Sequence, residues 1–555
     1  MNELKKLTLA HVFQNRESSN PDEILFSFVD ETPLLNREVI DQTQSIRRAL
    51  HQFGVRKGDR VAILGENSPQ WAVSYLAVGT MGAVNVPILP DFHKSEVHHI
   101  IRNAGAQTLF ISSKLFHKIG DEDFADLKYV ILLDNVLEAF PGKEVLTYDE
   151  VVTVGRELSD KGVVPDIDED DLLEILYTSG TTGHSKGVML THKNIISNAL
   201  SALQMIQISE VDRLLSILPM SHSYECTCGF ITPFMVGAKV YYLKGLPTAQ
   251  TLLPAVAVVK PTMILSVPLI MEKVYKKKVL SEINAKAVSK LLHRVPTTRK
   301  LVHKIAGKRL YEAFGGKLRF MVFGGAATSP EVEDFLMEGG FPYITGYGLS
   351  ETAPLLTVNP VGKQRKGSAG VIVPNVELKI EDQDPETGIG EIVAKGPNVM
   401  KGYYKNEEAT KSTFTTDGWL ITGDRGYIDP DGYLFIKGRS KNLILGPSGE
   451  NIYPEEIEFH LSQNTFVLEA LVYDVEGRIN ARVFLDYDAI DKEYGTSKMD
   501  QAEARKVIQD IIEELRVSVN ANIAIYSRIH KIIEQPEEFV KTPTKKIKRY
   551  LYTNS

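Results

Sequence analysis

Short apolar runs, each followed by a glycine turn and then a helical pattern, recur through roughly the first 350 residues. "DRVAILG" leads into "SPQWAVSYLAVGTMGA", "LLEILYTSG" comes before "THKNIISNALSALQM", and "LRFMVFGGA" before "SPEVEDFLMEGG". "VNVPI", "QTLFIS", "YVILLD", "RLLSILP" and "PTMILSVP" are further strand candidates. Strand, glycine turn and helix in this order describe parallel α/β architecture, with ligands at the carboxyl ends of the strands. From about Val376 the pattern changes to close-spaced strands and Gly/Asp turns, "VELKIEDQDPETGIGEIVAKG" and "GYIDPDGYLFIKGR". After Arg439 comes a small mixed segment of about 115 residues. At 555 residues the chain exceeds one ordinary core, so two or more domains are expected.

An apolar share of 43% and a charged share of 24% are those of a soluble globular protein. The net charge of -8 gives no global reason to expect a nucleic-acid partner. Cys226 and Cys228, the only cysteines, form a C-x-C pair with no His or Cys cluster around it, a poor zinc site. As neighbours on one strand they would rarely bridge, so they are expected as reduced packing residues of a cytoplasmic protein. "MNELKKLTLAHVFQN" lacks the apolar core of a signal peptide. "TLLPAVAVVKPTMILSVPLIM" is broken by Lys260, Pro261 and Pro268 and reads as buried helix and strand pieces. One stretch departs from the acidic average. Between Lys273 and Arg309 stand about a dozen Lys and Arg and a single carboxylate, Glu282, with Val288, Leu291, Leu292 and Val295 spaced for one side of a helix. It reads either as a solvated helix face or as a peripheral contact with the inner membrane surface through 273–309.

"YTSGTTGHSKGVMLTH", from Tyr177 to His192, crowds glycines and hydroxyls ahead of one cation, Lys186. Glycines let backbone approach a ligand closely, and hydroxyls, free N–H groups and a lysine suit phosphate oxygens. A polar surface turn would look the same in isolation. The stretch is not a Walker loop, because Ser185 stands where the second glycine should be and Gly187 where the metal-binding hydroxyl should be.

The loop resembles the phosphate loop of the adenylate-forming superfamily, which includes acyl-CoA synthetases, peptide-synthetase adenylation domains and luciferases. Further motifs follow in the family's order. "GGAAT" resembles the adenine-binding turn and "GYGLSET" the segment that stacks adenine and holds Mg²⁺. "GWLITGD" resembles the ribose-binding turn, "KGRSKNLILGPSGENIYPEEIE" the hinge and coenzyme A segment, and "TPTKKIKR" the catalytic-lysine motif. The resemblance implies an α/β fold: a large N-terminal domain, 1–438, of doubly wound α/β subdomains plus a small β-barrel. A hinge at 439–441, centred on Lys441, and a small mobile α+β domain, 442–555, would follow. For ATP it implies Thr178, Ser179, Gly180, Thr181, Thr182, Gly183 and Lys186 from the loop, and Gly324, Gly325 and Ala326 from the adenine turn. Gly346, Tyr347, Gly348, Ser350 and Glu351 would add the stacking segment, Asp424 and Arg439 the ribose contacts, and Lys546 the catalytic cation. Thr178 and Glu351 are the implied Mg²⁺ ligands, Lys546, Glu351 and Lys186 the implied catalytic set, and Ser448, Gly449 and Glu450 the implied coenzyme A contacts. The last motif departs from the usual P-x-G-K-x-x-R: Lys545 replaces the glycine, and alignment on Pro543 and Arg549 selects Lys546.

The implied reaction joins a carboxylate to the α-phosphate of ATP and then passes the acyl group to a thiol. Gly348 stands where acetate-type relatives carry a pocket-closing tryptophan, so an open floor admitting a long chain is expected there, with His222 at the pocket lip. "FGGKLRFMVFGGAAT" and "HSYECTCGFITPFMVGAKVYY" resemble long-chain fatty acyl-CoA synthetases. Expected partners are a fatty acid, ATP and coenzyme A. A ligase that uses acyl carrier protein is the alternative within the class, and a catalytically silent acyl- or nucleotide-binding protein the alternative outside it.

Overall fold

The computed structural model describes residues 4–553 except 121, 123, 137–139, 141, 160–163, 179–184, 246, 286, 446–450, 476 and 543–545. Among the described residues an eight-stranded sheet runs in the order Gly402–Tyr403, Lys186–Thr191, Leu172–Thr178, Val84–Ile88, Arg60–Leu64, Thr108–Ile111, Tyr129–Leu132 and Glu144–Thr147. From Leu172–Thr178 onward all its neighbours are parallel, whereas Lys186–Thr191 folds back antiparallel. A thirteen-stranded sheet has two parts besides the short antiparallel edge strand Leu34–Leu35. Its parallel part holds Ile24–Phe28, Lys239–Tyr242, Arg213–Ser216, Met263–Ser266, Phe320–Phe323 and Tyr343–Gly348. Tyr343–Gly348 then pairs antiparallel with Leu355–Val358, and the run continues through Gly370–Ile372, Tyr433–Arg439, Leu420–Ile428, Gly390–Lys395 and Glu377–Glu381.

This run corrects one expectation. Among the described residues Glu377–Glu381 ends the run as an edge and no barrel closes. The strands pair onto the parallel sheet through Tyr343–Gly348 instead of onto one another in a ring. A second correction concerns the cysteines. Cys226 and Cys228 lie in the π-helical segment Glu225–Ile231, not on a strand, and both are buried and free.

Helices start where their caps dictate. Ser68 accepts from the Trp71 N–H and Pro69 takes the first helical position of Pro69–Thr80. That helix carries no solvent face: its residues are buried almost throughout, packed against strands of both large sheets. Trp71 stacks on Tyr75 with centroids 5.4 Å apart, and Phe230 meets both rings edge-on. At His192–Met205, Thr191 accepts from the Asn194 N–H while Asn194 Oδ1 accepts from the Thr191 N–H at 2.8 Å. The stretch read as broken pieces becomes Ala249–Val259, Met263–Ser266 and Pro268–Val274. No helix among the described residues is long and apolar enough to cross a membrane.

After Ser440–Asn442, a three-stranded sheet of Val467–Val475, Arg478–Leu485 and Lys531–Gln535 carries its own core. Ile457, Leu461, Val472, Val483, Ile511 and Leu515 are buried there, on the sheet and on helices Pro454–Ser462 and Gln501–Asn520.

Candidate active site

The antiparallel strands set two charges face to face. Asp424, on Leu420–Ile428, is the cross-strand partner of Arg439, the last residue of Tyr433–Arg439. Arg439 Nε donates to Asp424 Oδ1 at 2.8 Å and Tyr347 Oη donates to Oδ2 at 2.6 Å. The Asp424 N–H is satisfied by Thr422 Oγ1 at 3.1 Å. Asp424 is only 4% exposed, and burial lifts its carboxyl above the ordinary value, while Arg439, Tyr347 and Lys546 work the other way. A carboxylate offers about four acceptor sites, so two remain for a diol.

Lys546 reaches this pair from the far end of the chain. A small loop fixes its backbone: the Thr542 N–H donates to the Lys546 carbonyl at 2.7 Å, and the Lys546 N–H donates to Thr542 Oγ1 at 3.1 Å. Its ammonium is exposed to the cleft yet crowded by protein. That crowding and Arg439 push its pKa down, whereas Asp424 and Glu351 push it up. The same cation, with burial as the larger cause, holds His222 down at about 4, so His222 stays neutral. The charge of Lys546 is therefore electrostatically coupled to Asp424, Arg439, Glu351 and His222.

Glu351 occupies the short turn Ser350–Thr352 just past the parallel-to-antiparallel switch. Tyr403 Oη donates to Glu351 Oε1 at 2.8 Å, and the Met400 N–H donates to the Glu351 carbonyl at 2.9 Å. Lys186 lies across the ladder from Thr178, with its Nζ 4.9 Å from the Tyr403 ring centre, a cation–π contact. Thr178, Lys186, Tyr403 and Glu351 thus share one end of the eight-stranded sheet. Their donor set fits Mg²⁺, which binds through one or two carboxylates, waters and substrate phosphates instead of an all-protein cage. Glu351 and Thr178 would hold the ion, whose contribution is to neutralise phosphate charge.

Gly324–Ala326 follows the parallel strand Phe320–Phe323. Gly325 has φ +83°, and a Cβ on Gly324 would come within 3.1 Å of the Tyr224 ring, whose hydroxyl donates to the Val322 carbonyl at 3.0 Å. Gly346, Tyr347 and Gly348 lie on Tyr343–Gly348, and Lys441 sits in the turn Ser440–Asn442. Ser179, Gly180, Thr181, Thr182, Gly183, Ser448, Gly449, Glu450 and Lys545 lie outside the described residues.

Gly348 has a packing role beside the expected open floor. A Cβ there would lie 1.9 Å from the Pro354 carbonyl oxygen and 3.1 Å from Leu355 Cα. Its missing side chain lets the bulged Leu355–Val358 strand approach, so the absence serves backbone packing.

Three residues at the site carry no motif signal. Tyr403 holds Glu351, and Tyr224 backs the glycine turn. Glu391 accepts from the Gly423 N–H at 2.7 Å and from the Ser440 hydroxyl, tying the turn before Asp424 to Ser440–Asn442. Only the tyrosines in "HSYEC" and "KGYYKN", polar-tipped rings between apolar residues, could have hinted at this.

A buried carboxylate bracketed by Arg and Tyr, a second one beside a lysine, and a third cation from the carboxy-terminal segment define an adenylate-forming enzyme on this frame. The chain matches the AMP-binding enzyme family over residues 13–404, most of its length, and belongs to that family. It is 29% identical to the long-chain-fatty-acid–CoA ligase FadD15 of Mycobacterium bovis, across 97% of this chain and 94% of the relative. It is also 29% identical to 4-coumarate-CoA ligase 2 of Narcissus pseudonarcissus, across 91% and 83%. The solved structure of ATP-bound MatB from Rhodopseudomonas palustris matches with a TM-score of 0.74 at 25% identity, across 98% of both chains. The anthranilate CoA ligase AuaEII, with anthranoyl-AMP, matches at TM-score 0.79 but 21% identity, over 98% of this chain and 96% of that one, and speaks for the fold alone.

Proposed function

We propose that this acyl-CoA ligase activates a long-chain fatty acid as acyl-AMP and transfers the acyl group to coenzyme A. The observation that carries the reading is the convergence of Lys546 with Asp424, Arg439 and Glu351. A carboxylate oxygen attacks the α-phosphorus of ATP, the bond to pyrophosphate breaks, and acyl-AMP forms. The thiol sulfur then attacks the acyl carbonyl, AMP leaves with the bonding electron pair, and the thiol proton passes to solvent. The first step brings one anion onto another, so fixed cations are needed where charge builds. Lys546 takes that place, Lys186 and the loop 179–184 hold the outer phosphates, and Asp424 takes the ribose. In the second step the segment 442–555 turns about the hinge at 439–441, withdrawing Lys546 from Asp424 and bringing 448–450 to coenzyme A.

Substrate class rests on thinner support. The names of several relatives point to long-chain acids, though others act on coumarate. The segment after His222 carries one carboxyl, Glu225, which is buried and pushed up to about 8, hence neutral and unsuited to anchor an amino group. The test is ATP-dependent thioester formation with acids from acetate to stearate, comparing coenzyme A with acyl carrier protein. Turnover that peaks on palmitate-length acids with coenzyme A is expected. A preference for aromatic or short acids overturns the substrate, a requirement for carrier protein overturns the acceptor, and no acid-dependent pyrophosphate exchange leaves a silent binder.

A further inference from the structure

The stretch 273–309 folds into helices whose outer face is both apolar and cationic. Ala287–Arg294 and Pro296–Ala313 follow one another with Val295 between them. Thr298 Oγ1 donates to the Leu292 carbonyl at 2.6 Å, and the His293 and His303 Nε2 atoms lie 3.0 Å apart, so the two helices lean on each other. The longer helix has an inner face of His303, Gly307 and Leu310. Gly307 makes that packing close: a Cβ there would lie 2.5 Å from the Gly339 carbonyl oxygen of the neighbouring helix Pro330–Gly339.

The opposite face should then be polar, and it is not. Leu301 is 59% exposed and Ile305 52%, one helical turn apart, while Val288 and Leu291 on the shorter helix and Val295 between the two are 69%, 65% and 45% exposed. Lys300, Lys304 and Lys308 interleave with them, exposed as well, and among the described residues no ion pair reaches any of the three. Glu282, on the preceding Ser281–Asn284, pairs with Arg309 at 3.7 Å, and Glu312 is the one carboxylate in the two helices. Large aliphatic side chains on a free surface mark an interaction site. A row of lysines beside them fits a partner that is negative at its surface and apolar just beneath.

We propose that this face docks the protein on an anionic lipid bilayer, with Leu301, Ile305 and Leu291 entering the acyl boundary and Lys300, Lys304 and Lys308 meeting the headgroup phosphates. A nucleic-acid backbone would engage the lysines but give the leucines nothing. The proposal stands independently of which acid the enzyme activates.

The full-length protein is sedimented with vesicles of phosphatidylcholine alone or of equal parts phosphatidylcholine and phosphatidylglycerol. Binding to the anionic vesicles is expected, weakening as salt rises. Lys300→Glu, Lys304→Glu and Lys308→Glu together should weaken it on the order of a hundredfold, from roughly fivefold per basic residue near an anionic surface. Leu301→Ser with Ile305→Ser should weaken it at every salt concentration. Thermal melting and pyrophosphate exchange with a water-soluble acid should be unchanged in both variants. Absent binding by the parent, or equal binding by the variants, overturns the proposal. So does a self-associated parent that the serine variant disperses without any vesicle binding, because the face then belongs to a second copy.

Discussion

The Tyr403 hydroxyl fixes Glu351 while the face of its ring carries the Lys186 ammonium, so one side chain sets the position of two charges. No motif announces that tyrosine, because its role depends on where two distant strands bring it. Asp424, Glu351 and Lys546 are different: each is marked by the order of short motifs along the chain, and in the fold both carboxylates act electrostatically on Lys546. Lys546 is the sharpest case for experiment. Its cation would stabilise charge that builds only while carboxylate meets phosphate, so Lys546→Ala should lose about 4 kcal/mol of stabilisation, roughly a thousandfold in pyrophosphate exchange. Supplied acyl-AMP and coenzyme A should still give thioester. Lys545→Ala, measured in the same exchange assay, should lose far less. Equal losses in both half-reactions would remove Lys546 from the adenylation step.

Two elements carry consequences that single residues do not show. The turn Ser440–Asn442 is held by Glu391 through Ser440 and by Glu455, which accepts from Asn442 Nδ2 at 2.5 Å. A fixed φ at Lys441 should hinder rotation there. Lys441→Pro is expected to keep pyrophosphate exchange within a few-fold and to lose thioester formation from acyl-AMP; loss of exchange first would place the pivot elsewhere. The second element is the bulged pair Tyr343–Gly348 and Leu355–Val358. With 1.9 Å between a Cβ at Gly348 and the Pro354 oxygen, Gly348→Ala must shift backbone and should cost about 1–3 kcal/mol in melting stability. Activity should fall alike on acetate and palmitate, and a loss confined to palmitate would favour the open-floor idea. Sequence alone did not show the packing role of this glycine, because a missing side chain looks the same whether it makes room for a ligand or for a neighbouring strand. The barrel failed for a similar reason. Close-spaced strands with tight turns are legible locally, but whether the last strand returns to the first is settled by long-range pairing that no local pattern records.

Across the whole molecule the parallel α/β frame was the most legible feature, since strand, turn and helix periods are written continuously from about Asp59 to Gly340. Its buried polar groups were not. Glu174, which accepts from Tyr75 Oη at 2.8 Å, is pushed up to about 7 by burial, and Glu225, which accepts from Ser216 Oγ at 2.6 Å, to about 8. The ordinary value is 4.5, so between there and about 8 the folded chain keeps protons that the unfolded chain releases. Their contribution to stability is therefore whole below 4.5 and fades as pH rises through about 8. Melting temperature should drop between about pH 5 and pH 9, with Glu225 accounting for a few kcal/mol at most. Glu225→Gln should flatten part of the drop, whereas parallel curves for parent and variant would mean the carboxyl ionises without penalty. The junction strand Tyr343–Gly348 has a last consequence, for cooperativity. One ladder of hydrogen bonds crosses it from the parallel to the antiparallel half, so neither half can open without breaking bonds that the other half shares. Amides along that strand should exchange with deuterium only when the large domain unfolds as a unit, and a protease should find no stable half to leave behind.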